Sequence, residues 1–364
     1  MQPMARPLSE PTTPVTKMKL AVFSAKSYDK QHFQAVNNLR AESQVELVFH
    51  EFSLSADSVE LARGAEAVCV FVNDVLDAAV LEELHALGVR AILLRCAGFN
   101  NVDLVVAEKL GFFVANVPSY SPEAVAEFAV ELVQTLNRNT HRAYNRVREG
   151  NFNLEGLLGK TLYGKTVGVV GTGRIGLAFA KIMKGFGCRI LAYDPYPIDG
   201  FKDLGEYTDL DTLLPQCDFV SLHCPLMEST RHIINENTVY KMKQGSMLIN
   251  TSRGGLIDTK SVIQALKKKH LGGLALDVYE GEGALFYNDH SGDIIHDDDL
   301  MRLMTFPNVL VCGHQAFFTE EALTEISETT LSNLDNFIRR EPCKNSLVRE
   351  GHLLISPSTV PVRM

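Results

Sequence analysis

Short, almost wholly apolar runs alternate with helix-patterned segments along most of this chain, and few folds accommodate that alternation. KLAVFSA, VELVFH, AVCVFV, RAILLRC and FFVANV come first; TVGVVG, CRILAYD, DFVSLHC, SMLINTS, LALDV and VLVCG follow. Strands covered on both faces read as continuous apolar runs, because neither face meets water. Strand, helix, strand repetition of this kind builds parallel sheets with helices packed on them. The pattern stops near Val117 and restarts at Thr166. It therefore predicts an α/β protein of two Rossmann-like, doubly wound parallel-sheet domains with a cleft between them. A length of 364 residues suits two domains.

The same pattern sets boundaries. Residues 1–17, rich in Pro, Ser and Thr with no apolar core, read as a flexible leader. Residues 18–119 form the first lobe and residues 120–316 the second, a whole dinucleotide-binding unit. A helix predicted over 319–340 is left over from the second series and packs back on the first lobe, so 317–341 completes it. Residues 342–364 read as a loosely ordered tail. Ser121 as cap and Pro122 at the first helical position open a helix predicted over 122–148, long enough to bridge lobes or subunits.

Composition narrows the function. Hydrophobic residues at 46%, charged residues at 22% and a net charge of −9 are those of a soluble globular chain and argue against nucleic acid as the main partner. The one tight basic cluster, Lys267, Lys268 and Lys269, reads as a solvated helix end. No apolar run approaches the ~18 residues of a membrane span. Seven cysteines lie scattered without metal-ligand spacing, so a reduced, cytoplasmic chain without a bound metal is expected.

The strongest chemical signal is Gly171-Thr172-Gly173-Arg174-Ile175-Gly176, which follows a predicted strand and opens a predicted helix. Glycines there let backbone approach a pyrophosphate, which then sits on the helix N-terminus. Asp194 ends the next strand, 18 residues past Gly176. Its carboxylate would accept from the adenine ribose hydroxyls and repel a 2′-phosphate, which favours NAD over NADP.

Three later runs each close on an ionisable side chain: Arg253, Glu282 (with Glu280 two residues before it) and His314. Ligands bind outside the carboxyl ends of the strands in open α/β sheets, so these groups should converge. A guanidinium, a carboxylate and an imidazole suffice to hold an anionic carbonyl compound and move a proton. In the first lobe, small residues Ala97 and Gly98, beside Cys96, would let backbone N–H groups approach a carboxylate. Phe71, Tyr120 and Phe317 would wall a tight apolar site suited to a methyl group.

The GTGRIG loop, HCPL, NTSRGGLID, LDVYEGE and GHQAFFT together resemble the NAD-dependent D-isomer-specific 2-hydroxyacid dehydrogenases over residues 18–340, most closely those that act on D-lactate. The resemblance implies reversible NADH-dependent reduction of pyruvate. In it Arg253 binds the substrate, His314 is the general acid, and Glu282, not Glu280, is the partner of that His. A carboxylate beside an imidazolium stabilises its charged form. The resemblance also places Arg174 and Ile175 at the pyrophosphate, and Cys224, Pro225 and Thr230 on the adenosine side. Thr251, Ser252 and Asp277 fall on the nicotinamide side. It implies a homodimer, with a tetramer left open, and closure of the cleft at hinges near Tyr120 and Phe317. Two alternatives stay open: reduction of another small 2-oxoacid such as glyoxylate or hydroxypyruvate, and a nucleotide-sensing co-repressor that keeps the fold and the trio. Such co-repressors typically carry a pocket tryptophan, and this chain has none.

Overall fold

The computed structural model describes residues 17–40, 45–349 and 352–354. Apart from Lys17, the expected leader lies outside the described residues. The first sheet holds β1 (Lys19–Val22), β2 (Glu46–Phe49), β3 (Ala67–Val70), β4 (Ala91–Leu94) and β5 (Phe113–Ala115), all parallel in the order β2-β1-β3-β4-β5. The second holds β6 (Thr166–Val170), β7 (Arg189–Tyr193), β8 (Glu206–Tyr207), β9 (Phe219–Leu222), β10 (Met247–Asn250), β11 (Gly273–Leu276) and β12 (Val309–Val311). Its order is β8-β7-β6-β9-β10-β11-β12, again parallel throughout. Every residue of β3, β4, β9 and β11 is buried, which is why those strands are apolar without alternation.

Both sheets start in the middle and reverse direction. The reversal lies between β1 and β3 in one and between β6 and β9 in the other. A crevice opens at each such point, outside the carboxyl ends of the two strands. The chain crosses between lobes twice, from β5 into the helix Pro122–Arg138 and from β12 into the helix Glu320–Arg339.

Pro122–Arg138 starts as expected, with the Ser121 hydroxyl accepting from Ala124 N at 3.3 Å. It buries Ala126, Ala129, Val133 and Leu136, and packs on the helix Arg174–Gly185 and on β10 and β11. The predicted helix over 122–148 is nevertheless broken. Asn139 adopts the left-handed conformation (φ 52°, ψ 33°), and a separate helix Thr140–Arg148 follows with no buried residue. Asn tolerates that conformation because its short amide can bond locally, so it can end a helix that hydropathy alone would continue. Glu320–Arg339, capped by the Thr319 hydroxyl at 3.2 Å from Ala322 N, packs on the helix Ser27–Leu39 and on β4 of the first sheet.

The tail differs from expectation. Ser346–Arg349 forms β13, antiparallel to β5, and His352–Leu353 forms β14 beside it. These strands cover what would otherwise be the open edge of the first sheet, with unpaired N–H and C=O groups along β5. Strands this short carry too little periodicity to stand out from a loop. Among the described residues, no helix is long and apolar enough to cross a membrane.

Candidate active site

At the β6–β9 reversal the chain keeps the crevice clear with glycine. Gly171 sits at φ +95°, where an L side chain is strained, and a Cβ there would lie 2.6 Å from Cys224 N. Gly176 lies against the Gly171 carbonyl, so close that a Cβ would fall 2.0 Å from its oxygen. Gly173 differs: nothing lies within 4 Å of its would-be Cβ, and no side chain caps the helix Arg174–Gly185 that it opens. Bare N–H groups at a helix start, with open space above them, form an anion site. Asp194 braces the loop from below. Its Oδ2 accepts from Thr172 N at 2.7 Å and Thr172 Oγ1 at 3.0 Å, and its Oδ1 from Tyr196 N at 2.8 Å. A carboxylate offers about four lone-pair positions, so room for one more donor remains.

From this loop a cavity of about 580 Å³ runs along Gly173, Arg174, Ile175, Pro225, Thr251 and Ser252 to Asp277, Arg253 and His314. The Thr251 hydroxyl oxygen is buried there without a partner. An orphaned hydroxyl, an uncapped helix start and an open glycine fit a bound dinucleotide. Two of the residues expected to hold the cofactor are instead engaged in the turn around them. The Cys224 side chain is buried, and its carbonyl accepts from Ser252 Oγ at 2.7 Å. The Thr230 hydroxyl donates to the Pro225 carbonyl at 2.6 Å and accepts from Met227 N at 2.8 Å. Neither side chain lines the cavity.

A second cavity of about 580 Å³ adjoins the first and shares Ala97, Gly98, Asn100, Tyr120, Arg253, His314 and Phe317 with it. Arg253 and His314 therefore stand where the two join, and Glu282 lines the second. His314 Nδ1 lies 2.9 Å from Glu282 Oε1, and Glu282 Oε2 accepts from Tyr279 N at 2.8 Å. Both oxygens are thus committed, and the imidazole is held in one orientation. Glu280 instead pairs with His232 at 2.6 Å. His314 is itself in the left-handed region (φ 56°), and three bonds to Asp277 hold it there. His314 N donates to the Asp277 carbonyl at 2.8 Å, while the Asp277 carboxylate accepts from Gln315 N at 2.8 Å and Ala316 N at 2.9 Å. Burial pushes that carboxyl up, against the pull of His314. Asp277 lines the first cavity, but its oxygens already anchor the His314 turn.

Arg253 donates from Nη1 to the Ser252 carbonyl at 2.7 Å. Its Nη2 would be 3.0 Å from a Cβ on Gly98, so the glycine lets the guanidinium of one lobe reach the backbone of the other. Ala97 and Gly98 line both cavities, held by Asn116 Nδ2 donating to the Ala97 carbonyl at 2.8 Å. Cys96 is buried, its thiol donates to the Gly98 carbonyl, and burial pushes it up to about 12. A thiol so placed stays protonated and unreactive. Phe71, Tyr120 and Phe317 line the second cavity together, with Phe317 6.0 Å from Phe71 and 6.2 Å from Tyr120, centroid to centroid.

Sequence reasoning missed Tyr287, which lines the second cavity, and His223, which lines the first. His223 closes β9 inside HCPL, so strand-end position could have signalled it. Burial lowers it to about 3, and its Nε2 lies 2.9 Å from Ser221 Oγ. Tyr287 sits in a long insert with no strand or helix pattern to place it.

A family model described as "D-isomer specific 2-hydroxyacid dehydrogenase, NAD binding domain" matches residues 130–316. The chain is 70% identical over 347 residues to 2-hydroxyacid dehydrogenase A of Aspergillus oryzae, covering 95% of this chain and 100% of that one. It is 69% identical over 333 residues to a D-lactate dehydrogenase of Curvularia clavata, covering 91% and 96%. The apo-structure of D-lactate dehydrogenase from Escherichia coli superposes with a TM-score of 0.84 at 52% identity, over 91% of this chain and all of that one. Sequence, fold and glycine crevice agree: the chain belongs to the NAD-dependent D-isomer specific 2-hydroxyacid dehydrogenases.

Proposed function

We propose that the protein is a D-lactate dehydrogenase that reduces pyruvate with NADH and runs the reaction in reverse. The observation that carries this reading is the Glu282–His314 pair at 2.9 Å in a chamber shared with Arg253. Residues 120–316 hold the nucleotide, while residues 18–119 with 317–341 supply the rest of the substrate site.

NADH, when bound, supplies the hydride. Gly171, Gly173, Arg174, Ile175 and Gly176 hold its pyrophosphate and Asp194 its ribose. Cys224, Pro225 and Thr230 shape the adenosine side, and Thr251, Ser252 and Asp277 the nicotinamide side. Arg253 and the N–H groups at Ala97 and Gly98 hold the substrate carboxylate, which turns the ketone toward His314. Glu282 accepts from Nδ1, so Nε2 carries the proton to the ketone oxygen and takes it back from lactate. The carboxylate balances the imidazolium in a site poor in water, where an unpaired charge would be costly. Phe71, Tyr120 and Phe317 exclude water and leave space for a methyl group.

The protein works as a homodimer, joined through the surface of the helix Thr140–Arg148 and the loop after it, where Tyr144, Phe152, Leu154, Leu158 and Tyr163 are 62%, 74%, 79%, 95% and 77% exposed. An apolar set that large on one segment favours a second copy of the chain. It works in the cytoplasm, a setting that suits seven free cysteines.

A steady-state screen of pyruvate, glyoxylate, hydroxypyruvate and phenylpyruvate with NADH and NADPH, followed by chiral analysis, tests the reading. Pyruvate with NADH should lead, and the product should be D-lactate. NADH binding without turnover of any of the four acids would overturn it in favour of a sensor.

A further inference from the structure

Tyr287 belongs to the stretch between the short turn Glu282–Ala284 and the helix Asp298–Met304, a part of the second lobe with no strand of its own. That stretch is fastened at its far end, where the Tyr279 hydroxyl lies 2.9 Å from both Asp297 carboxylate oxygens. Tyr287 has φ 69°, an uncommon conformation for an aromatic residue and one that surrounding contacts must impose. Its ring meets Phe71 edge-on at 5.1 Å and lies 5.8 Å from the His314 ring. Its hydroxyl donates to the His314 carbonyl at 3.3 Å.

The second cavity is lined by four aromatic residues. Phe71 comes from the first lobe, and Tyr120 and Phe317 lie on the segments that cross between lobes. Tyr287 alone of the four comes from the second lobe. The Phe71–Tyr287 contact therefore spans the cleft and closes one side of the chamber. Burial, and after it the Glu282 carboxylate, push the phenol far up, so its hydroxyl remains a donor at every working pH.

We propose that Tyr287 is a specificity-determining and positioning residue for the reaction proposed above, on which this inference rests. Its ring closes the substrate chamber against chains longer than a methyl group, and its hydroxyl braces the strained backbone of His314. The two roles separate by substitution. Tyr287→Ala removes both; Tyr287→Phe removes only the brace.

The test uses the full-length protein, NADH, and three acids of increasing size: pyruvate, 2-oxobutyrate and 4-methyl-2-oxopentanoate. In Tyr287→Ala, the kcat/KM ratio of 4-methyl-2-oxopentanoate to pyruvate should rise about tenfold or more, the scale on which pocket size discriminates one or a few methylenes. In Tyr287→Phe that ratio should hold within about twofold, while kcat falls roughly threefold to tenfold with KM and NADH affinity unchanged, as for loss of one hydrogen bond that serves the reacting His. A folded, NADH-binding Tyr287→Ala with the wild-type ratio overturns the size limit, and wild-type kcat in Tyr287→Phe overturns the brace. Should Tyr287→Ala fail to fold, Tyr287→Leu takes its place, with a smaller rise expected and an unmoved ratio still overturning the proposal. Wild-type protein that binds NADH yet reduces none of the three acids overturns the dehydrogenase reading, and this inference with it.

Discussion

In the first lobe, paired side chains brace the crevice where the sheet reverses; in the second, the crevice keeps bare backbone N–H groups and an unpartnered hydroxyl. Arg95, 2% exposed, enters the β1–β3 crevice and donates to Asp29 Oδ1 at 3.2 Å, to the Phe23 carbonyl at 2.9 Å and to the Ser24 carbonyl at 2.9 Å. Asp74, fully buried, accepts from Ser24 Oγ and Leu54 N at 2.7 Å each, and from Phe71 N. The Arg95 guanidinium and the Asp29 and Asp74 carboxylates are thus paired within the protein. At the β6–β9 crevice Gly173 faces open space, the helix start is uncapped and the Thr251 hydroxyl has no partner. One topology thus gives a braced wall of the second cavity in one lobe and an open anion site in the other. The deciding variable is whether hydrogen-bonding capacity is used up inside the fold or left for a guest.

The largest expected effect comes from unbracing the first crevice. Arg95→Met leaves the Asp29 and Asp74 carboxylates buried without their cation, which should cost about 3–5 kcal/mol of stability. Chemical denaturation followed by circular dichroism measures it, and a loss below about 1 kcal/mol would break the contrast. Because the guanidinium also lies 4.8 Å over the Phe71 ring, pyruvate reduction should weaken alongside.

Filling the second crevice gives the opposite signature. Gly173→Val puts atoms where nothing lies within 4 Å, so the fold should stand while NADH binding weakens roughly a hundredfold, about 2.7 kcal/mol. Fluorescence titration with NADH, set beside the melting temperature, separates the two quantities. A lowered melting temperature with normal NADH affinity would reverse the assignment of the two crevices.

Glu282→Gln asks whether the paired carboxylate on the rim of the open crevice is a strut like Asp29. The neutral amide can still accept from Nδ1 but brings no charge to the ring. Reduction moves a proton through that ring, so kcat for pyruvate should fall about tenfold, or 1.4 kcal/mol, with NADH affinity and melting temperature unchanged. A lowered melting temperature with near-normal kcat would make Glu282 a strut only.

The last effect shows only in acid and concerns His223, on the wall of the open crevice. Its folded value of about 3 lies below the ordinary 6.5, so the unfolded chain takes up a proton there that the folded chain refuses. Stability from this group is present above about pH 6.5 and is lost as pH falls toward 3, at no more than roughly 1.4 kcal/mol per pH unit. His223→Gln should flatten that acid slope in thermal melts, and an unchanged slope would show that the ring is free to charge.

Much of this was legible along the chain. The apolar runs from KLAVFSA to VLVCG located β1 to β7 and β9 to β12, because parallel strands buried on both faces announce themselves by composition. The glycine loop, Asp194 and the strand-end trio were legible for a related reason: strand ends mark the crevice, and special residues cluster there. The break at Asn139 was hidden because one residue's φ decides it. The strands β13 and β14 were hidden because β13 pairs with β5, more than 200 residues earlier, β14 only extends that edge, and their own pattern is too short.

Sequence by itself determined the two lobes, the nucleotide crevice and the three ionisable side chains, since each rests on local pattern and spacing. Tertiary structure decided which carboxylate His314 meets, that Arg253 reaches the Gly98 backbone, and that Tyr287 stands against Phe71 across the cleft. Those are meetings of residues dozens to hundreds of positions apart. No local propensity encodes them; they follow only when two sheets, closed by distant segments, bring their strand ends face to face.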